Sequence, residues 1–148
     1  MKTSNAVPIA AASVVAVGVA QLVQRGRQHK QHVDATLSLI QIEWLSRASQ
    51  DEEEAARWAP EGIEPEQYQR MLSGNRLLCQ LSLRWRLGLV SRRQLDLFAG
   101  HAMESATCRD YWKQFGSLRV AEAVGDEKSE VFNQALGDAY TRVMNLAS

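Results

Sequence analysis

An uncharged segment near the amino terminus, Ala6–Val23, constrains the fold of this chain more than any other feature. Apart from Pro8 and Gln21 its residues are aliphatic or small, and a helix of this length rises about 27 Å, close to the thickness of a bilayer core. Pro8 lies in the first turn, where a missing amide hydrogen costs little free energy. The segment therefore predicts an N-terminal transmembrane helix or a long amphipathic helix.

Basic residues follow the segment directly, at Arg25, Arg27 and Lys30. Positive charge behind an apolar segment resists translocation and stays on the cytoplasmic side of a membrane. We therefore expect residues 1–27 to form a membrane anchor with a basic flank, and residues 28–148 to form a helical cytoplasmic domain. The expected location is the cell membrane, with a single pass and with lipid contacts made by the N-terminal helix.

Two other interpretations of the segment stay open. Lys2, the apolar stretch and the small residues Gly18-Val19-Ala20 also match an export signal whose cleavage would give a secreted protein. A helix that is buried in the protein or lies at a membrane interface is the second alternative, because alanine dominates the segment and makes its insertion weak.

The composition limits the size and the class of the protein. At 148 residues the chain has room for one domain with a real core. Its 17 basic and 17 acidic residues leave no basic excess, so we expect no nucleic-acid partner. Cys79 and Cys108 are the only cysteines and form no CxxC motif, which favours reduced thiols over a disulfide framework.

Apolar residues recur at helical spacing after the basic flank. One stripe continues the N-terminal helix to about Ala48 and consists of Val33, Leu37, Ile40 and Trp44. Ser49 or Asp51 caps a short helix that Pro60 closes. A long helix starts at Pro65 and runs to Leu87, where Gly88 is a C-cap.

Turn and capping residues divide the second half of the chain into further helices. Ser91 and Gln94 have the spacing of a capping box, and a break is predicted near residues 105–107. Gly116 is predicted to end the helix that carries Tyr111, Trp112 and Phe115, and a last helix begins at about Asp126 with Phe132, Leu136, Ala139 and Val143 on one face. Because no stretch alternates like a strand, the sequence predicts an all-α bundle of about four to six helices.

Two stretches of the sequence, "RWAPEGIEPEQYQRMLSGNRLLCQLSLRWRLGLVS" and "CRDYWKQFG", are similar to a known family when taken with the short apolar segment. They resemble an actinobacterial family of small, single-pass helical proteins that is known as a domain of unknown function. The resemblance covers most of the chain, and its motifs are packing and turn residues. It implies an all-α fold and membrane anchoring, and it implies no substrate, cofactor or catalytic residue.

A candidate interaction surface lies at the corner between two predicted helices and consists of Arg84, Trp85, Arg86, Arg92 and Arg93. Arginine beside tryptophan can bind phosphate or stack on bases. Residues 51–148 hold twelve basic and fifteen acidic residues, however, which disfavours nucleic acid. The remaining uses are solvation, pairing with the acidic residues 51–54, and contact with anionic lipid headgroups.

Two groups of polar residues resemble reactive sites without completing one. His29 and His32 have a spacing that metal ligands use, but the one possible third ligand nearby, Asp34, is expected on another face of the helix. His101, Glu104 and Cys108 would align on a continuous helix, but the predicted break separates them. We therefore predict no catalytic residue, no cofactor-binding residue, no metal ligand and no cofactor.

These features favour a membrane-anchored helical interaction or scaffold module that binds a protein partner or a second copy of itself. A non-enzymatic role is favoured because no catalytic motif is present, which is a weak argument on its own. The alternative is an enzyme or a ligand-binding protein whose site is assembled from scattered residues of the helical domain.

Overall fold

The computed structural model describes the backbone of residues 6–148 and the side chains of residues 16–148. This part of the chain forms six helices, which are α1 (Ala6–Ala48), α2 (Glu52–Trp58), α3 (Pro65–Arg86), α4 (Arg92–Glu104), α5 (Ala106–Glu122) and α6 (Glu127–Leu146). None of the residues from 6 to 148 lies in a β-strand. The predicted all-α architecture of about four to six helices is confirmed.

The predicted transmembrane helix has no support in the described residues. No helix among them is both long enough and apolar enough to cross a membrane. The side chains of residues 6–15, which are ten of the eighteen residues in the predicted anchor, lie outside the described side chains. The backbone does form one helix from Ala6 to Ala48, as the spacing of the apolar residues predicted.

The chain divides into two compact units, residues 1–37 and residues 38–148. In the first unit the described apolar side chains Val17, Val19, Leu22 and Val23 are each at least half exposed. The basic side chains of the predicted flank are exposed as well, at Arg25, Arg27 and Lys30. This unit therefore presents both apolar and basic groups on its surface.

The second unit contains the main hydrophobic core. Helix α3 packs against α5, and α4 packs against α6. The largest fully buried side chains of this cluster are Leu78, Leu95, Met103, Phe132 and Leu136. Full burial of a side chain of this size contributes about 1.5–3 kcal/mol to the free energy of unfolding, so these residues stabilise the four-helix arrangement.

A smaller core cluster joins the end of α1 and the short helix α2 to α3. It is formed by Leu45, Ala48, Ala55, Leu72 and Cys79. Leu37 and Ile40, from the predicted stripe, are instead 60 % and 58 % exposed. The side chains that pack α1 in this unit are therefore those near its C-terminal end.

The predicted helix starts are confirmed where local capping defines them. The Asp51 carboxylate accepts hydrogen bonds from the backbone N–H groups of residues 53 and 54 at the start of α2. Ser91 and Gln94 form both hydrogen bonds of a capping box. Asp126 caps α6, and the predicted break falls at Ser105, which is extended between α4 and α5.

The predicted end of a helix at Gly116 is wrong, because α5 continues through this residue to Glu122. Gly116 is buried, and a Cβ atom at this position would lie 2.9 Å from the indole Cε2 of Trp112. The glycine thus makes room for a packed tryptophan. Beyond α5 the chain turns at Gly125, which has a φ of +90°.

Candidate functional site

A polar cavity of about 240 Å³ lies in the second unit, between the last part of α1 and the helices α3, α5 and α6. Helix α3 contributes Asn75 and Cys79, α5 contributes Arg119 and Glu122, and α6 contributes Asn133. The other lining residues are Ser38, Gln41, Ser82, Tyr111, Ala123, Ser129 and Phe132. Most of these groups are hydroxyls, amides and other hydrogen-bonding groups, so the cavity suits a polar ligand.

The Arg119 guanidinium is the central feature of the cavity. This side chain is only partly exposed, and its Cζ atom lies 5.8 Å from the centre of the Tyr111 ring and 5.9 Å from the centre of the Phe132 ring. Tyr111 and Phe132 are both buried. An arginine within about 6 Å of two aromatic rings gains cation–π attraction, which partly offsets its loss of hydration.

Neutral groups hold the guanidinium in place. Arg119 Nη1 donates to Asn75 Oδ1 at 3.0 Å and to the Tyr111 hydroxyl at 3.4 Å. The Cys79 thiol also donates to Asn75 Oδ1, at 3.4 Å. The Asn133 side-chain amide donates to the Arg119 carbonyl oxygen at 2.9 Å. The cation is therefore fixed by hydrogen bonds that leave its charge unpaired.

Besides Asn75 and Tyr111, the Cys79 thiol is a hydrogen-bond partner of the Arg119 guanidinium. No carboxylate oxygen of a described residue lies within 4.0 Å of this guanidinium. The Arg119 side chain is partly buried and lines the cavity. Two adjacent N–H donors on one edge of a guanidinium match the two oxygens of a carboxylate or phosphate.

The titratable neighbours of Arg119 are neutral near pH 7. Burial raises the pKa of the Tyr111 hydroxyl above its usual value, although Arg119 opposes this shift. Burial likewise raises the pKa of the Cys79 thiol. Burial by itself lowers the pKa of Arg119, but its interactions with Tyr111 and Cys79 outweigh that effect and raise it. Arg119 is therefore a permanent cation beside a phenol and a thiol.

Glu122 supplies the one carboxylate among the residues that line the cavity. It lies three residues after Arg119 on α5, and its charge contributes to the raised pKa of Tyr111. The cavity thus holds a cation and an anion that do not form an ion pair with each other within the described structure.

The comparisons with known proteins identify a family. Residues 1–147 match the model of a family of unknown function (DUF6082). The chain belongs to this family. No curated protein and no solved structure matches it. The predicted resemblance to a family of unknown function is confirmed, whereas an actinobacterial origin and a single-pass topology are not part of the match.

In this member of the family, the five residues of the predicted interaction surface at the corner between α3 and α4 have two different environments. Trp85 Nε1 donates to the Lys128 carbonyl oxygen at 2.8 Å, and Arg86 Nη1 donates to Asp126 Oδ2 at 2.6 Å. These two side chains attach α3 to α6. The remaining residues lie on the exposed surface, where Arg92 pairs with Asp96 while Arg84 and Arg93 point to solvent.

Two of the four acidic residues at 51–54 make local hydrogen bonds. Asp51 caps α2, and Glu54 accepts hydrogen bonds from Arg57 at 3.0 Å and from Trp58 Nε1 at 2.9 Å. An interaction role for the corner arginines remains a prediction.

The structure does not assemble His101, Glu104 and Cys108 into one site. His101 Nδ1 lies 3.4 Å from Glu104 Oε2 on the exposed surface of α4. The Cys108 thiol is buried and faces the Gly74 carbonyl oxygen at 3.8 Å. His29 and His32 are exposed on α1, and the described residues contain no group of three metal-ligating side chains.

Sequence reasoning missed the role of Arg119 and Glu122 in the cavity. A signal was present, because Tyr111, Phe115 and Arg119 follow one another at steps of four on α5. Residues at this spacing share a helix face. Arginine is rarely buried, so an arginine on the helix face that carries aromatic core residues indicates a partly buried charge.

Proposed function

We propose that the helical unit of residues 38–148 is a ligand-binding module that takes an anionic group of its ligand at Arg119. One observation carries this proposal: a partly buried guanidinium that has no carboxylate of the described residues within 4.0 Å lines a polar cavity. Moving a guanidinium out of water is costly unless its donors are satisfied. A bound carboxylate or phosphate would satisfy them, with each charged hydrogen bond contributing about 1.5–3 kcal/mol.

Binding is favoured over catalysis by the state of the possible nucleophiles. Burial raises the pKa of both Cys79 and Cys108, so each remains a thiol rather than the reactive thiolate near pH 7. This proposal corresponds to the alternative that the sequence left open, a ligand-binding protein whose site is assembled from scattered residues of the helical domain.

Binding of simple anions to the full-length protein tests the proposal. The side-chain amide ¹⁵N resonances of Asn75 and Asn133, which line the cavity, would be followed by NMR during titrations with sodium acetate and with sodium phosphate at constant ionic strength. We expect saturable shifts with at least one anion, and their loss in Arg119→Gln. Arg119→Lys keeps the charge but removes the paired donors, so it should bind more weakly than the wild type.

The exposed residue Arg142 on α6 provides a matched control. Arg142→Gln removes the same charge and should leave the titration unchanged. Circular dichroism and thermal unfolding establish that each variant is folded. The proposal is wrong if neither anion shows saturable binding, or if binding survives unchanged in a folded Arg119→Gln variant.

Membrane attachment through the N-terminal helix is a second proposal, with a protein partner or a second copy recruited there. It is supported by the exposed apolar side chains between Val17 and Val23, followed by the exposed Arg25, Arg27 and Lys30. Apolar side chains can insert into the apolar layer of a membrane, and the basic side chains that follow can bind its anionic headgroups. Carbonate washing of cell fractions and protease accessibility test both attachment and a cytoplasmic position of residues 38–148. Full-length protein in the soluble fraction would refute it.

A further inference from the structure

We infer that the ligand of the cavity is a small zwitterion, whose carboxylate binds Arg119 and whose ammonium group faces Glu122. This inference rests on the proposed anion site at Arg119 and adds the second half of the recognition. It assigns the class of ligand to amino-carboxylate molecules.

The arrangement of the two charged residues on α5 is the first argument. Residues at positions i and i+3 of a helix are neighbours and can form an ion pair. Arg119 instead turns inward to Asn75 and Tyr111, and no described cationic group lies within 4.0 Å of the Glu122 carboxylate. Both side chains line the same cavity without pairing with each other, Arg119 partly buried and Glu122 exposed.

The charge balance of the cavity is the second argument. Among the residues whose side chains are described, Arg119 and Glu122 are the only charged ones that line it, and burial keeps Tyr111 and Cys79 neutral. A ligand that carries only a negative charge gains from Arg119 but is repelled by Glu122. A ligand with separated positive and negative groups gains from both residues.

The size and polarity of the cavity are the third argument. The cavity has a volume of about 240 Å³. It is smaller than the pockets of about 300–1,000 Å³ that hold drug-sized ligands. Ser82, Ser129 and Asn133 add hydroxyl and amide groups to the lining of the cavity. The cavity therefore suits a short, polar molecule with few apolar atoms.

A series of probes with increasing charge separation tests the inference on the full-length protein. Isothermal titration calorimetry would compare acetate with glycine, β-alanine and γ-aminobutyrate. At least one of the three amino acids should bind about tenfold more tightly than acetate, which is the effect of one additional charged hydrogen bond. In Glu122→Gln the ratio of the acetate Kd to the amino-acid Kd should fall close to one, while acetate binding is retained or becomes tighter.

Controls separate this inference from the proposed anion site. Arg119→Gln should abolish binding of acetate and of the amino acids, and Glu43→Gln, which removes an exposed carboxylate of α1 outside the cavity, should change neither. If acetate binds through Arg119 but no amino acid binds more tightly, the zwitterion inference is wrong and the anion site stands. If the preference persists in Glu122→Gln, the inference is also wrong. If no probe binds, both proposals are wrong.

Discussion

Gly74 of α3 packs directly against the backbone of α5 at Thr107, where a Cβ atom on residue 74 would lie 2.5 Å from the Thr107 carbonyl oxygen. The adjacent Cys108 thiol faces the carbonyl oxygen of the same glycine. The same two helices are also joined by the hydrogen bond from Arg119 of α5 to Asn75 of α3.

The first prediction is that Gly74→Ala destabilises the protein. A methyl group has no room between two backbones, so the helices must separate, at a cost of about 1–3 kcal/mol in the free energy of unfolding. Urea unfolding followed by circular dichroism measures this cost. Gly100→Ala in α4 is the matched control, because nothing lies within 4 Å of its added Cβ. The control should be neutral or stabilising by about 0.5–1 kcal/mol, and equal effects at the two sites would contradict the prediction.

The second prediction concerns acid stability and the ion pair between Arg86 and Asp126. The hydrogen bond from Arg86 at 2.6 Å lowers the pKa of Asp126 from 3.8 to about 2. Because the folded-state pKa lies below the unfolded value, the pair stabilises the protein above about pH 4, and this contribution is lost as the pH falls toward 2.

Asp126→Asn tests this contribution, since asparagine retains the ability to cap α6 but carries no charge. The Asp126 side chain is 45 % exposed, so we expect a loss of about 0.5–1 kcal/mol at pH 7. The difference from the wild type should disappear near pH 2. Asp96→Asn, at the exposed Arg92–Asp96 pair on α4, is the control and should have a smaller effect. A difference that is constant with pH would argue against the ionic contribution.

The third prediction concerns the reactivity of Cys79. Burial raises the pKa of this thiol, and Arg119 lowers it in part through its charge and a hydrogen bond. Removing the arginine removes the opposing effect, so Cys79 in Arg119→Gln should react more slowly with iodoacetamide at pH 9. Cys108, which does not line the cavity, serves as an internal reference in the same mass-spectrometric experiment. Faster labelling of Cys79 alone would show that accessibility, rather than thiolate formation, controls the rate.

The fourth prediction concerns the basic flank of the N-terminal helix. Three basic residues near anionic lipid contribute about 1 kcal/mol each to membrane attachment. Changing Arg25, Arg27 and Lys30 together to glutamine should therefore move protein from the membrane fraction to the soluble fraction, or allow the helical domain to be exported. The helix content of residues 38–148 should not change.

A triple substitution of the exposed residues Arg70, Lys113 and Arg142 to glutamine is the control for a general loss of charge. Fractionation and protease protection compare the two triple variants. Attachment and topology that are unaffected by loss of the basic flank would show that these three residues are only a solvated part of α1.

The sequence by itself determined the helices, because their ends depend on residues that are close together in the chain. Asp51, Ser91 and Asp126 each cap a helix by accepting a hydrogen bond from a backbone N–H two or three residues later. Such local interactions are visible in the order of the residues. Membership of a helical family of unknown function was likewise recognisable from packing and turn residues.

Only the tertiary structure decided what Gly116 and Arg119 do. Gly116 has the residue type of a helix end, yet it lies inside α5 because the Trp112 ring needs the space of its absent side chain. The candidate site joins Asn75, Arg119 and Asn133, which lie on three helices and are separated by up to 58 positions in the sequence. No local sequence pattern predicts that these three residues lie close together. Their proximity depends on how the helices pack and on which charged side chain is then left without an ion-pair partner.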